Sequence, residues 1–197
     1  MKKILIHFFF VFLISNSFAT EKANIINNLE NIDNLSFKFE QNINGNIQNG
    51  DCIIKYPKKI FCNYNLSNKK ILVSNGTSIV IKTKSSYYLY PIEQTPLNLI
   101  LDKKFLLKKI RSSNERTIDD KYINFVFNEN ENEISLFFNK ETFDLIGWQT
   151  IDLYQNLSIT YLLNISKNMK LKKIYLNYQN KIKLYFYTLF FKNFHPS

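Results

Sequence analysis

The chain has 197 residues, 45% of them hydrophobic, and a formal charge of +10. That length suits one domain able to bury a core. The excess charge comes from lysines scattered along the chain, with Arg111 and Arg116 the only arginines, which argues against a nucleic-acid partner.

Lys2 and Lys3 precede an apolar run from Ile4 to Ile14 broken only by His7, and Ser17-Phe18-Ala19 supplies small residues suited to signal peptidase. A run of about eleven residues is short of the roughly 20 that span a bilayer. Met1–Ala19 is therefore expected to be a signal peptide cleaved near Ala19, the alternative being an uncleaved anchor. Residues 20–197 then form a single exported domain, its charge reduced from +10 to +8 by loss of Lys2 and Lys3. No Cys follows Ala19, so no lipid attachment is expected there.

Glu21 to Ile32 suits a helix, with Ala23, Ile26, Leu29 and Ile32 at near-helical spacing. The period then drops to two. Leu35, Phe37 and Phe39 alternate with Ser36, Lys38 and Glu40, as in a half-buried strand. Asn44-Gly45, Asn49-Gly50 and Asn75-Gly76 read as tight turns, and Gly147 as a bulge within a strand. Strand-like runs follow at Cys52–Tyr56, Ile60–Tyr64, Lys70–Ser74, Ser78–Lys82 and Tyr87–Tyr90. They resume at Tyr122–Phe127, Ile134–Phe138, Leu145–Leu153, Leu157–Leu163, Lys173–Tyr178 and Ile182–Phe191. Many short strands separated by turns predict an antiparallel meander or barrel. The aromatic tail Tyr185–Phe194 is expected to pack as the final strand.

Between the two sets of strands, Thr95–Ile110 is predicted as one helix, capped by Thr95 with Pro96 first. Leu97, Ile100, Leu101 and Phe105 form its apolar stripe. The pattern fits either a helix covering the open end of a barrel or a movable lid over an apolar cavity.

Cys52 and Cys62 flank a strand-turn-strand pattern with Pro57 at the bend. Their equal parity would put both on one face of a hairpin with an odd-length loop. In an oxidising compartment a disulfide is expected; two buried free thiols are the alternative. His195 is the only His after the leader, which leaves Ser-His-Asp and Cys-His chemistry without a well-placed base. Asp119-Asp120 and Glu131/Glu133 read as solvated turns, not as an acid/base pair. No catalytic site, metal or cofactor is expected.

Several segments together resemble the LolA family of periplasmic lipoprotein carriers. Phe39-Glu40-Gln41 is similar to the family's F-x-Q. The stretch from Gly50 to Tyr64 resembles its G-x-(L/F)…R-P…F-x-W hairpin. Ile71-Leu72-Val73-Ser74-Asn75-Gly76 resembles I-(L/V)-V-S-D-G, and Thr95-Pro96-Leu97 resembles the T-P-(L/F) that opens the lid helix. Leu145-Ile146-Gly147-Trp148 and Asp152 fit a later strand pair.

The resemblance implies a mainly β fold with helices: an unclosed antiparallel β-barrel with an N-terminal helix and a helical lid. It implies a monomeric, non-enzymatic carrier in the periplasm. Such a carrier receives outer-membrane lipoproteins from an inner-membrane ABC-type release complex and passes them to the outer membrane, where an acceptor can take them. The alternatives are a LolA-like binder of another lipid or hydrophobic ligand, a membrane-anchored acceptor, and an envelope-stress sensor module of similar fold. On this resemblance, acyl chains would meet Leu35, Phe37 and Phe39 of the first strand. Ile54, Tyr56, Ile60 and Tyr64 would face them from the hairpin, with Leu97, Ile100, Leu101 and Phe105 from the lid. Two departures stand out. Tyr56 replaces the family's lid-bonding Arg before the hairpin Pro, and Cys62 replaces its Trp.

Overall fold

A computed structural model describes residues 20–129, 132–151 and 155–170. The first meander comprises β1 (Asn34–Ile43), β2 (Asn46–Lys55), β3 (Lys59–Tyr64), β4 (Ile71–Asn75), β5 (Ser78–Lys82) and β6 (Tyr87–Pro91). The second comprises β7 (Arg116–Ile118), β8 (Tyr122–Glu129), β9 (Asn132–Asn139), β10 (Leu145–Ile151) and β11 (Leu157–Lys167). β1 pairs with β11 and joins them into one 11-stranded antiparallel sheet, in the order β6-β5-β4-β3-β2-β1-β11-β10-β9-β8-β7. β6 and β7 remain at the edges, so the sheet is not closed. The fold is the mainly β, unclosed arrangement that was expected. The leader Met1–Ala19, the predicted strands Lys173–Tyr178 and Ile182–Phe191 and the tail Tyr185–Phe194 lie outside the described residues.

β1 follows its alternation: Leu35, Phe37 and Phe39 are buried while Lys38 and Glu40 are exposed. Its ladder to β2 is continuous over ten pairs, from Asn34↔Lys55 to Ile43↔Asn46. The ladder to β11 slips between Ser36 and Lys38, where Asn164 takes a left-handed backbone (φ 52°), as a bulge requires. The Asn44-Gly45 turn forms between β1 and β2, and Asn75-Gly76 turns between β4 and β5 with Gly76 at φ 102°. There the Asn75 Oδ1 accepts from the backbone N–H groups of Thr77 and Ser78 at 2.8 and 2.9 Å, as Asx turns do.

Asn49-Gly50 is not a turn. It lies inside β2, with Gly50 between Phe39 and Tyr64. A Cβ there would sit 2.1 Å from the Asn63 carbonyl oxygen and 2.9 Å from Phe39 Cε1, so close strand approach requires the glycine. Gly147 does mark a register shift, between Leu145 and Gly147 in the β9–β10 ladder.

Helix α1 (Glu21–Glu30) starts at Thr20, whose hydroxyl accepts from the Ala23 N–H at 3.2 Å. Its buried face is Ile25 and Leu29, followed by Ile32, with Ala23 exposed. Ala23 thus falls outside the expected stripe and Ile25 takes its centre, while Ile26 packs half-buried against the core. The predicted helix over Thr95–Ile110 is in fact broken. A 3-10 turn (Ile92–Gln94) leads to α2 (Leu97–Ile100), and α3 (Lys103–Ser112) follows after Leu101 and Asp102. The break is set by Asp102, whose carboxylate accepts from the Phe105 N–H at 3.1 Å and caps α3. The Thr95 hydroxyl does not cap a helix; it donates back to the Ile92 carbonyl at 2.9 Å.

α1 and α3 cover the β8–β9 side of the inner face. Phe105 meets Phe127 edge-on at 5.9 Å, and the Lys22 ammonium stands 6.0 Å over Phe125. Lys103 Nζ donates to the carbonyls of Glu30 and Ile32, at 3.0 and 2.9 Å. It thereby satisfies backbone acceptors at the C-terminal end of α1.

Asp144 ties this layer to the sheet. Its carboxylate accepts from Asn28 Nδ2 at 2.9 Å and Lys167 Nζ at 2.7 Å. Burial alone would raise its pKa, but the bonds from Lys167 and Asn28 outweigh that and hold it below the usual value. A folded pKa below the unfolded value of about 3.9 means the stabilisation is present above that pH and lost as pH falls through the folded value. Asp144→Asn is expected to flatten the acid limb of stability below about pH 4. Urea midpoints at pH 7 and pH 3 check this, and an unchanged acid limb would refute it.

Candidate functional site

The inner face runs on from β1 to β5, where no long helix of the described residues covers it. Phe37 and Phe39 point inward, with Phe37 edge-on to Trp148 at 6.4 Å and Phe39 edge-on to Tyr64 at 4.9 Å. Ile60 and Cys62 of β3, Leu72 of β4 and Ile79 and Ile81 of β5 extend this surface. Thr95, Pro96 and Leu97, at the start of α2, close over it. The cavity between them, open to solvent on one side, is about 340 Å³. Its other wall is polar, with Gln41, Asn46, Gln48, Thr150, Ser158 and Thr160.

Of the residues singled out in the sequence, Phe37, Phe39, Ile60, Tyr64 and Leu97 line this cavity. Leu35, Ile54, Tyr56, Ile100 and Leu101 do not; they are buried in the core. Phe105 packs on Phe127, away from the cavity. The division has a cause. At the Leu35–Ile54 end, the turn between β2 and β3 meets the elbow between α2 and α3. The Lys58 N–H donates to the Leu101 carbonyl at 2.8 Å, and Lys58 Nζ pairs with Asp102 at 3.6 Å. The Lys58 carbonyl in turn accepts from the Ser74 hydroxyl at 2.8 Å.

Tyr56 does not bond to the lid. Its hydroxyl is buried without a hydrogen-bond partner among the described residues, and burial pushes its pKa up, so it stays neutral. The contact that the resemblance assigned to an Arg is made here by Lys58 and its backbone. The polar wall was missed in the sequence, although the parity of Phe37 and Phe39 continues to Gln41.

Cys52 and Cys62 are directly opposed in the β2–β3 ladder and disulfide-bonded, their Cα atoms 4.1 Å apart. Both line the cavity. Closing a loop of this length constrains the unfolded chain by about 2–3 kcal/mol in the chain-entropy model. Adding a thiol reductant is therefore expected to lower the unfolding free energy by about that amount; an unshifted urea midpoint would contradict it. Among the described residues, no group of three or more His, Cys, Asp or Glu is placed to hold a metal, and no helix is long and apolar enough to cross a membrane.

The model of the family described as outer membrane lipoprotein carrier protein LolA matches residues 30–176. An outer-membrane lipoprotein carrier protein from Francisella tularensis subsp. novicida is 34% identical over 87 residues. That match covers 41% of this chain and spans only 42% of the relative's length. A LolA superfamily protein from Nitrosomonas europaea aligns with a TM-score of 0.40 at 10% identity, over 78% of this chain and 94% of its own. The lipoprotein LppX from Mycobacterium tuberculosis aligns with a TM-score of 0.42 at 10% identity, over 76% and 95%. With the family model matched over most of its length, the chain belongs to the LolA family of outer membrane lipoprotein carrier proteins.

Proposed function

We propose that the chain is a periplasmic carrier that binds lipoprotein acyl chains in the cavity beneath α2 and moves lipoproteins from the inner to the outer membrane. The observation that supports this is an apolar cavity of about 340 Å³, roofed by a short helix, in a chain of this family. Phe37, Phe39, Ile60, Tyr64 and Leu97 are its contact residues. Each methylene withdrawn from water is worth about 0.8 kcal/mol, so one sixteen-carbon chain is worth roughly 12 kcal/mol. Unassisted passage of a multiply acylated anchor through water is correspondingly slow.

The cavity is at the low end of the ~300–1,000 Å³ typical of ligand sites. It suits one chain, and a three-chain anchor needs α2 to move. The polar contacts of the roof with the sheet at Lys58 are one backbone bond, to Leu101, and one partly exposed ion pair, to Asp102, so opening α2 has mainly to uncover the buried Ile100 and Leu101. The partners in this reading are outer-membrane lipoproteins, an inner-membrane ABC-type release complex and an outer-membrane acceptor. The protein acts as a monomer after cleavage near Ala19.

The test is to incubate the purified protein with membrane vesicles carrying a triacylated lipoprotein and the release complex. A soluble one-to-one complex is expected, and none with the unacylated form of the same lipoprotein. A carrier that leaves the acylated lipoprotein in the vesicles, or takes up both forms alike, overturns the reading.

A further inference from the structure

The cavity has two chemically distinct ends. Along β1 the inward face changes from Phe37 and Phe39 to Gln41, which pairs with Thr160 of β11. On the far side of β11, Trp148 of β10 opposes Thr160, and Thr150 opposes Ser158. Thr150, Ser158 and Thr160 all line the cavity, and their residues are only 7%, 4% and 4% exposed. The Gln41 amide donates to the Ser158 hydroxyl at 3.0 Å and to the Thr160 hydroxyl at 3.2 Å. Each of these hydroxyls therefore accepts one bond and keeps its own hydrogen to donate. Among the described residues neither hydrogen meets an acceptor, and the Thr150 hydroxyl makes no hydrogen bond. Lys70, at the same end, is engaged with Gln48 Oε1 at 2.9 Å and with the Tyr64 ring at 4.1 Å. The buried donors left open here are neutral hydroxyls.

An open donor against hydrocarbon is costly, and an acceptor oxygen removes that cost. A methylene laid on these hydroxyls leaves them open, whereas a carbonyl oxygen closes them. The rest of the floor selects hydrocarbon. We infer that the cavity seats an acyl chain by its ester or amide carbonyl, with the carbonyl oxygen at Thr150, Ser158 and Thr160. The chain then runs over Phe37, Phe39 and Leu72. This rests on the reading of the cavity as an acyl-chain site and deepens it. The three hydroxyls are positioning groups: they set which end of the chain lies where. They also make the site prefer an acyl linkage to an alkyl ether of equal length.

Two neutral probes of equal chain length isolate the carbonyl: 1-palmitoylglycerol, an ester, and 1-O-hexadecylglycerol, its ether counterpart. Their dissociation constants are measured by displacement of a fluorescent fatty acid from the purified protein, below the concentration at which each self-associates. The ester is expected to bind about fivefold or more tightly than the ether, as one net hydrogen bond between neutral groups implies. A variant combining Gln41→Met, Thr150→Val, Ser158→Ala and Thr160→Val should bring the two probes to within about twofold. Gln41 is replaced with the others so that its amide is not left as a new open donor. Ether affinity should be no weaker in the variant, which reports an intact cavity. A second readout needs no variant. The infrared carbonyl band of the bound ester, labelled with carbon-13, should lie at lower frequency than that of the same ester in hexadecane. Equal binding of the two probes to the wild type, a preference that survives in the variant, or a band at the hydrocarbon frequency overturns the carbonyl seat and leaves the acyl cavity standing. Failure of both probes to bind removes the acyl cavity as well.

Discussion

Gly50→Ala is expected to destabilise the fold by more than about 3 kcal/mol, at or beyond the upper end of ordinary overpacking costs. The added methyl would meet a backbone carbonyl oxygen, that of Asn63, at 2.1 Å, and the Phe39 ring at 2.9 Å. A ring can rotate away. The carbonyl is fixed by the β2–β3 ladder, so the strands themselves must part. The disulfide lies on the same pair of strands, two residues along at Cys52. Gly45→Ala is the control, since its added Cβ has nothing within 4 Å. With φ at 87° it costs only local strain, of order 1 kcal/mol or slightly more. Urea unfolding of both variants checks the comparison, and equal losses at the two sites would contradict the packing at Gly50.

Leu72→Trp is expected to weaken binding of a sixteen-carbon acyl ligand by about 50- to 200-fold while the protein stays folded. Leu72 is buried on β4, opposite Cys62 and Ile81, and faces the cavity. An indole there fills space that three or four methylenes would otherwise occupy. At about 0.8 kcal/mol per methylene, that loss is roughly 2.4–3.2 kcal/mol, which gives the stated factor. The void absorbs the ring, so the overpacking cost should stay below about 1.5 kcal/mol. Leu163→Trp, on the opposite face and 51% exposed, should leave binding unchanged. Acyl affinity and unfolding free energy are measured on both variants. Undiminished affinity in Leu72→Trp would exclude this cavity as the site.

The strands that alternate cleanly were legible in the sequence. Leu35, Phe37 and Phe39 mark β1 because one face is buried and the other is wet. β2 was not legible at its start. Asn46, Gln48, Asn49 and Gly50 are polar or turn-forming residues, since the inward ones face the polar end of a cavity instead of a core. Asn-Gly is a turn signal only where the chain is free to reverse; at Gly50 the neighbouring backbone occupies the space of a side chain. The break between α2 and α3 was hidden for a different reason. Leu97, Ile100, Leu101 and Phe105 keep a continuous stripe across it, and an Asp inside that stripe gives no sign that it caps a new helix.

The candidate site was legible only in part. Periodicity gives the inward face, and Phe37, Phe39, Ile60, Tyr64 and Leu97 lie where that face meets the cavity. It does not say which inward residues meet a helix and which meet a void. Leu35, Ile54 and Tyr56 share that face but lie where the α2–α3 elbow docks. The gap depends on where that elbow sits, through the contacts of Lys58 with Leu101 and Asp102, and no local pattern encodes it.

The central claim is that acyl chains occupy the inner face of the open sheet, beneath α2. Photocrosslinking tests it most directly, with benzoylphenylalanine placed at Phe37 or at Tyr161 in a cell exporting the protein, followed by mass spectrometry of the adducts. Phe37 lines the cavity, whereas Tyr161 is 47% exposed on the outer face. Acyl-chain adducts of lipoproteins at position 37 and none at position 161 are the predicted result. Acyl adducts at 161, or none at 37, would contradict the account.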